Sequence, residues 1–103
     1  MERLEKLKAF LKENPEDNFI RHAMALEYIK TGHDEKARQL FEDILNQQPS
    51  YVGSYYHLAK LLERIHKTDE AIRVYEKGMA EAKKAGDDLS FRELRGAWEE
   101  LTF

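Results

Sequence analysis

Residues 15–49 read PEDNFIRHAMALEYIKTGHDEKARQLFEDILNQQP, a stretch that opens and closes on the chain's two prolines, Pro15 and Pro49, 34 positions apart. Such spacing calls for a search for internal repetition. A shift of 34 lays Ala25 on Ala59, Ala37 on Ala71, Met24 on Leu58, Leu40 on Val74, Phe41 on Tyr75, Glu42 on Glu76 and Lys30 on Arg64. Small residues fall on small and large apolar ones on large. Within the stretch, Ile20, Met24, Ala25 and Tyr28 recur at helical spacing, and so do Ala37, Leu40, Phe41, Ile44 and Leu45. Between these two amphipathic segments lies Thr31-Gly32-His33-Asp34. Gly32 suits the left-handed conformation that ends a helix, and Asp34 is the expected cap of the next.

The pattern extends in both directions. A helix is predicted over Tyr51 to Arg64, with Tyr55, Leu58, Ala59 and Leu62 on one stripe, and a second from about Thr68 to Lys84, where Ala71, Val74, Tyr75 and Gly78 continue the register. His66 stands where the first unit has a glycine, which predicts a strained turn with Thr68 as the cap. Upstream, Leu4, Leu7, Phe10 and Leu11 superpose by the same shift on Arg38, Phe41, Ile44 and Leu45, so Arg3 to Asn14 reads as the second helix of an earlier, truncated unit. Downstream, Gly86-Asp87-Asp88 makes a turn, and Ser90 with Glu93 is the expected capping box, stapled by Leu89 and Leu94. Leu94, Ala97, Trp98 and Leu101 then follow at helical spacing, as expected of a helix capping the last unit, with Phe103 as a frayed tail. The expectation is one all-α domain of six helices without strands: residues 1–14 a half-repeat, 15–48 and 49–84 two repeats, 87–103 a cap. No period-two run of useful length and no hairpin turn signal opposes it.

Composition narrows the function classes. Seventeen Lys and Arg against twenty Asp and Glu give a net charge of −3, interspersed and with no basic run. Nucleic-acid affinity rests on clustered cations that displace counterions, so that partner is not expected. The absence of cysteine removes disulfides, thiolate metal sites and cysteine nucleophiles, and fits a reducing compartment. No stretch approaches the roughly 20 apolar residues of a membrane helix, and the amino-terminal MERLEKLKAFLKENP alternates charged with apolar groups instead of forming a signal core. No membrane partner is expected, and the expected location is cytoplasmic.

Ala25, Tyr28, Gly32, Ala37, Phe41 and Pro49 in one unit, and Tyr55, Leu58, Ala59, Ala71 and Tyr75 in the next, resemble the tetratricopeptide repeat family. The likeness has a physical reason: an alanine lets paired backbones approach, and a ring one turn later fills the wedge they leave. The departures are Arg21 where an aromatic is usual, Met24 for leucine, His66 for glycine, Gly78 for alanine and Lys83 for the closing proline. The resemblance implies a right-handed α-α superhelix in which the first helix of each unit lines a concave groove that holds a peptide or partner protein. Carried onto this chain, the groove face is Phe19, His22, Leu26, Ile29 and Lys30, then Tyr56, His57, Lys60, Glu63 and Arg64. Phe19, Leu26, Ile29 and Tyr56 are apolar beyond what solubility asks, which fits an interaction surface. Chaperone-binding members grip a terminal carboxylate with lysine and asparagine; His22 and Leu26 occupy the corresponding first-unit positions, so that clamp is not expected. Lys30, Lys60 and Arg64 remain as candidates to pair with acidic ligand side chains. The alternative is a structural protein that self-associates, as a homodimer for example, through its terminal helices, where Trp98, Leu101 and Phe103 are the apolar groups.

Catalysis and cofactors are not expected. The four histidines, His22, His33, His57 and His66, contain no pair spaced by three residues, and two of them fall in turns. His22 and His57 alone are placed to face each other across adjacent groove helices, too few ligands for a metal site. The acidic residues lie on polar faces or in turns, Ser50, Ser54 and Ser90 lie near helix starts where capping explains them, and no Gly-rich phosphate loop is present.

Overall fold

A computed structural model describes residues 2–103. They form six helices and, among the described residues, no strand: α1 (Glu2–Glu13), α2 (Asn18–Lys30), α3 (Asp34–Gln47), α4 (Gly53–Arg64), α5 (Thr68–Ala85) and α6 (Asp88–Thr102). Helices α2 and α3 form one antiparallel hairpin and α4 and α5 a second. Helix α1 packs on α2, α3 carries α4, and α6 lies on α5 with its inner edge against α4. The result is a helical-repeat superhelix of 42 × 29 × 20 Å.

The turns correct several sequence expectations. Gly32 adopts the left-handed conformation (φ 81°), and His66 does the same at φ 64° despite its side chain, a costly state for a non-glycine residue. Asp34 and Thr68 do not cap; each is the first helical residue, after His33 and Lys67, neither of which offers a side-chain cap. The Asp34 carboxylate is drawn across to Arg64 of α4, 3.0 Å away, which spends it on joining the two hairpins. Ser90 is not the cap of α6 either. Asp87 is, because its two oxygens take the Ser90 N–H at 3.1 Å and the Ser90 hydroxyl at 2.7 Å. The staple is absent as well, for Leu89 is 64% exposed while Leu94 is buried. Helix α4 begins two positions later than expected, at Gly53, since the Tyr51 N–H closes a turn on the Gln48 carbonyl.

The core explains the small residues. Ala25, Ala37, Ala59 and Ala71 are fully buried where the helices of each hairpin cross, and Phe41, Ile44 and Tyr75 fill the space beside them. One departure from the family pattern, Gly78, is explained by Tyr55. A Cβ on Gly78 would lie 2.7 Å from Cβ and 2.9 Å from Cγ of Tyr55, and 3.1 Å from Cδ1 of Leu94, so the ring of Tyr55 needs glycine beneath it. Tyr55 in turn donates its hydroxyl to the Pro49 carbonyl at 2.6 Å, and burial, aided by Glu81, pushes its pKa up to about 12. In the first unit the same pair of positions holds Arg21 and Ile44: the isoleucine is fully buried, and the arginine swings out to Asn18, Gln47 and the Pro15 carbonyl.

At the far end α6 covers the second hairpin through Leu94 and Ala97, and the Trp98 indole donates to Glu76 of α5 at 3.1 Å. Phe103, 88% exposed, meets Trp98 edge to face.

Candidate functional site

Helices α2 and α4 run side by side along the inner face, and a compact polar-aromatic joint ties them. His22 Nδ1 and Ser54 Oγ share a hydrogen bond of 2.8 Å, with Ser54 fully buried. The rings of His22 and His57 meet edge to face at 5.5 Å, His57 stacks on Phe41 of α3 at 6.2 Å and 9°, and Tyr51 lies 5.8 Å from His22. Burial disfavours the imidazolium, so both histidines titrate below the ordinary range. His22, which also feels His57, is pulled from 6.5 to about 4. Both are therefore neutral at pH 7.

A pH dependence follows from the sign of that shift. Above about pH 6.5 His22 is neutral folded or unfolded; below it the unfolded chain takes up the proton and the folded chain does not, until about pH 4. Stability is thus fully present at neutral pH and is lost as pH falls through that window. With allowance for solvent screening of a half-buried ring, the expected loss is about 2 kcal/mol. Urea titrations between neutral pH and pH 4 measure it, and His22→Asn, which keeps a hydrogen-bonding partner for Ser54 without a titrating ring, should flatten the curve. An unchanged slope in that variant contradicts the assignment.

The other expected groove residues separate into three kinds. Phe19 is 74% exposed at the amino-terminal rim of α2, and Tyr56 stands at 36% in the centre. Leu26 and Ile29 are half-buried and pack against the core, so part of their apolar surface serves folding. The charged members are largely committed within the chain. Lys60 lies 5.7 Å over the Tyr56 ring and 3.7 Å from Glu63, Glu63 accepts the Tyr75 hydroxyl, and Arg64 holds Asp34. That acceptor and burial together push the Tyr75 phenol far up, burial contributing most. Lys30 is exposed and, among the described residues, makes no ion pair within 4.0 Å. His22 and His57, expected in the groove, serve the joint between α2 and α4.

Sequence reasoning missed Ser54, whose position near a helix start suggested only capping, and Tyr51, which counted only as the first residue of the predicted helix. A signal was present, for Ser54 shares the face of Leu58 and Leu61 at helical spacing, which places it inward. Two open clefts flank the joint. One, of about 630 Å³, opens between Phe19, His22, Tyr51, Gly53 and Asp87 at the rim; the other, of about 360 Å³, lies between α3, α4 and α5 among Glu42, Leu45, Arg73 and Lys77. No group of three or more His, Cys, Asp or Glu placed to hold a metal occurs among the described residues, and no helix there is long and apolar enough to cross a membrane.

Residues 52–84 match the model of the tetratricopeptide repeat family. The crystal structure of a tetratricopeptide repeat domain protein from Salinibacter ruber superposes with a TM-score of 0.80 at 40% identity, over 84% of this chain and 96% of that one. A solution structure of a tetratricopeptide repeat domain protein from the same organism gives 0.81 at 41% identity, over 84% and 88%. The solution structure of a protein from Bordetella parapertussis shares the fold, with a TM-score of 0.83 at 23% identity over 96% of this chain and 86% of that one. No curated protein matches the sequence. With the alanine-packed hairpins, the aromatic wedges and a structural relative matched over nearly its whole length, the chain belongs to the tetratricopeptide repeat family.

Proposed function

We propose that this chain is a non-catalytic interaction module that holds a peptide segment of a partner protein in the concave face of α2, α4 and α6. Proteins built on this repeat are protein–protein interaction modules in general, and the observation that carries the specific reading is a set of inner-helix residues that folding leaves partly or wholly exposed. Phe19, Tyr56 and Lys30 face outward on the inner helices, while the surrounding charges Lys60, Glu63 and Arg64 are held by intramolecular partners. A rigid, largely prepaid surface of this kind limits the ordering cost of binding.

Self-association through the ends is the weaker reading. At the amino end the position that Ala37 fills in the first unit is Arg3, which is paired with Glu27 at 3.1 Å. At the carboxyl end, with Leu58 matched to Leu94 and Leu61 to Ala97, Arg95 falls where Ala59 lies in the second unit, and it pairs with Glu99. A guanidinium at each alanine position keeps another helix from the close approach that repeat stacking needs. Sedimentation over a concentration series should show a monomer.

Titration of the chain with short peptides selected from a random display library tests the groove. Tyr56→Ala is expected to weaken them about tenfold or more, the scale of an aromatic anchor, while Phe103→Ala leaves affinity unchanged. Equal affinity of Tyr56→Ala and wild type for every selected peptide overturns the reading.

A further inference from the structure

The inner face is not uniform along its length. At the rim, the exposed ring of Phe19 on α2 and the bare backbone of Gly53 at the start of α4 line the same cleft. The cleft of about 630 Å³ opens over Gly53. A Cβ built on Gly53 meets only His22 Cε1, at 4.0 Å, so the glycine is not demanded by packing, unlike Gly78. Its conformation does not demand it either, for Gly32 and Gly86 are the only glycines with positive φ. What the glycine supplies is room.

The walls of that room have a definite chemistry. Phe19 and Tyr51 contribute aromatic rings, Val52 and Ala85 extend the apolar surface, and Gln48 and Ser50 add neutral polar groups. Asp87 is the only acidic or basic residue besides His22 lining it, and His22 is neutral at pH 7. The Asp87 carboxylate is held in its charged form by the two Ser90 hydrogen bonds, which lower its pKa, and burial, aided by a second N-cap carboxylate, Asp17, raises the Tyr51 phenol. No lysine or arginine lines the cleft to answer either charge.

We propose that the cleft over Gly53 is a specificity pocket for a lysine or arginine side chain of the bound peptide. The aliphatic stem lies over Gly53 between Phe19 and Val52, and the cationic end reaches Asp87. A long basic side chain is the residue type that matches aromatic and aliphatic walls beside an uncompensated carboxylate, because its stem buries while its head stays near water. The rings of Phe19 and Tyr51 add cation–π attraction. The proposal rests on the groove reading, since the pocket continues the same inner face.

The test uses the same display-selected peptides with three variants. Asp87→Asn removes the charge and keeps an N-cap residue; Gly53→Leu fills the room at a site where a Cβ has no close neighbour; Tyr56→Ala probes the groove centre. The expected result is that selected peptides share a basic residue whose replacement by norleucine costs about tenfold against wild type and little against Asp87→Asn, the scale of a charge-assisted contact. Gly53→Leu is expected to weaken the parent peptide by a similar factor. Peptides that lose affinity in Tyr56→Ala but are indifferent to Asp87→Asn and Gly53→Leu overturn the pocket and leave the groove standing. Selected peptides with an acidic or purely apolar residue in that role also overturn it, and a library that yields no binder overturns both.

Discussion

Phe41→Ala is expected to lower the free energy of unfolding by about 4 kcal/mol, the range found for removing a buried ring from a packed core. Phe41 is fully buried, and it sits where α3 meets α2 and α4. It is the ring on which His57 stacks at 6.2 Å, and His22 meets it edge-on at 5.6 Å, so the substitution empties the floor of the joint between α2 and α4. A domain of this size has a total stability of roughly 5–15 kcal/mol, so such a loss places the variant near the edge of folding. Urea denaturation at neutral pH measures it. A loss below about 1 kcal/mol would mean that Phe41 does not carry the joint.

Gly78→Val is expected to cost about 3 kcal/mol, and even Gly78→Ala should destabilise. The sign is the informative part. Intrinsic helix propensity favours alanine over glycine within a helix by about 1 kcal/mol, and α5 runs straight through this position from Thr68 to Ala85. Against that gain stands the approach of a Cβ to 2.7 Å from the Cβ of Tyr55 and to 3.1 Å from Leu94, with all three groups buried between α4, α5 and α6. Overpacking of this kind costs about 1–3 kcal/mol. Because the offending atom is the first carbon of Tyr55, no rotation of that side chain relieves it. The double variant Tyr55→Arg with Gly78→Ile reproduces the pair found in the first unit and should recover part of the loss of Gly78→Ile alone. Denaturation of the set, read as a double-mutant cycle, checks this. A more stable Gly78→Ala refutes the steric coupling.

How much of this was legible in the sequence depends on how local the cause was. The alanine pairs were legible because close helix approach leaves the same small residue at the same place in both units, and all four are fully buried. The exchange of Arg21 with Ile44 for Tyr55 with Gly78 was visible only as the two separate departures Arg21 and Gly78, since the two members of each pair lie on different helices and their contact is a fact of the fold. The caps misled for a related reason. Asp34 and Ser90 have the right residue type, but Arg64 from another hairpin claims the first and the neighbouring Asp87 outcompetes the second with two acceptor oxygens. His66 was expected to strain its turn, and its φ of 64° is that strain.

The inner face shows the same division. Helical spacing assigns Phe19, His22, Leu26, Tyr56 and Lys60 to one side of α2 and α4, but spacing says nothing of what the neighbouring helix does to each. His22 and His57 are drawn into the joint by Ser54 and Phe41, Glu63 by Tyr75, and Arg64 by Asp34. Phe19 remains outward, and Tyr56 keeps part of its ring exposed beneath Lys60. The cleft over Gly53 was invisible to the sequence, as its walls come from α2, the segment before α4, and the turn between α5 and α6.

Amide NMR of the chain during titration with a display-selected peptide is the most direct measurement of where a partner binds. Shifts concentrated at His22, Leu26, Tyr56 and Lys60, along the inner face of α2 and α4, are the expected result. Shifts confined to the cleft among Glu42, Arg73 and Lys77, on the side of α3 and α5, would contradict it.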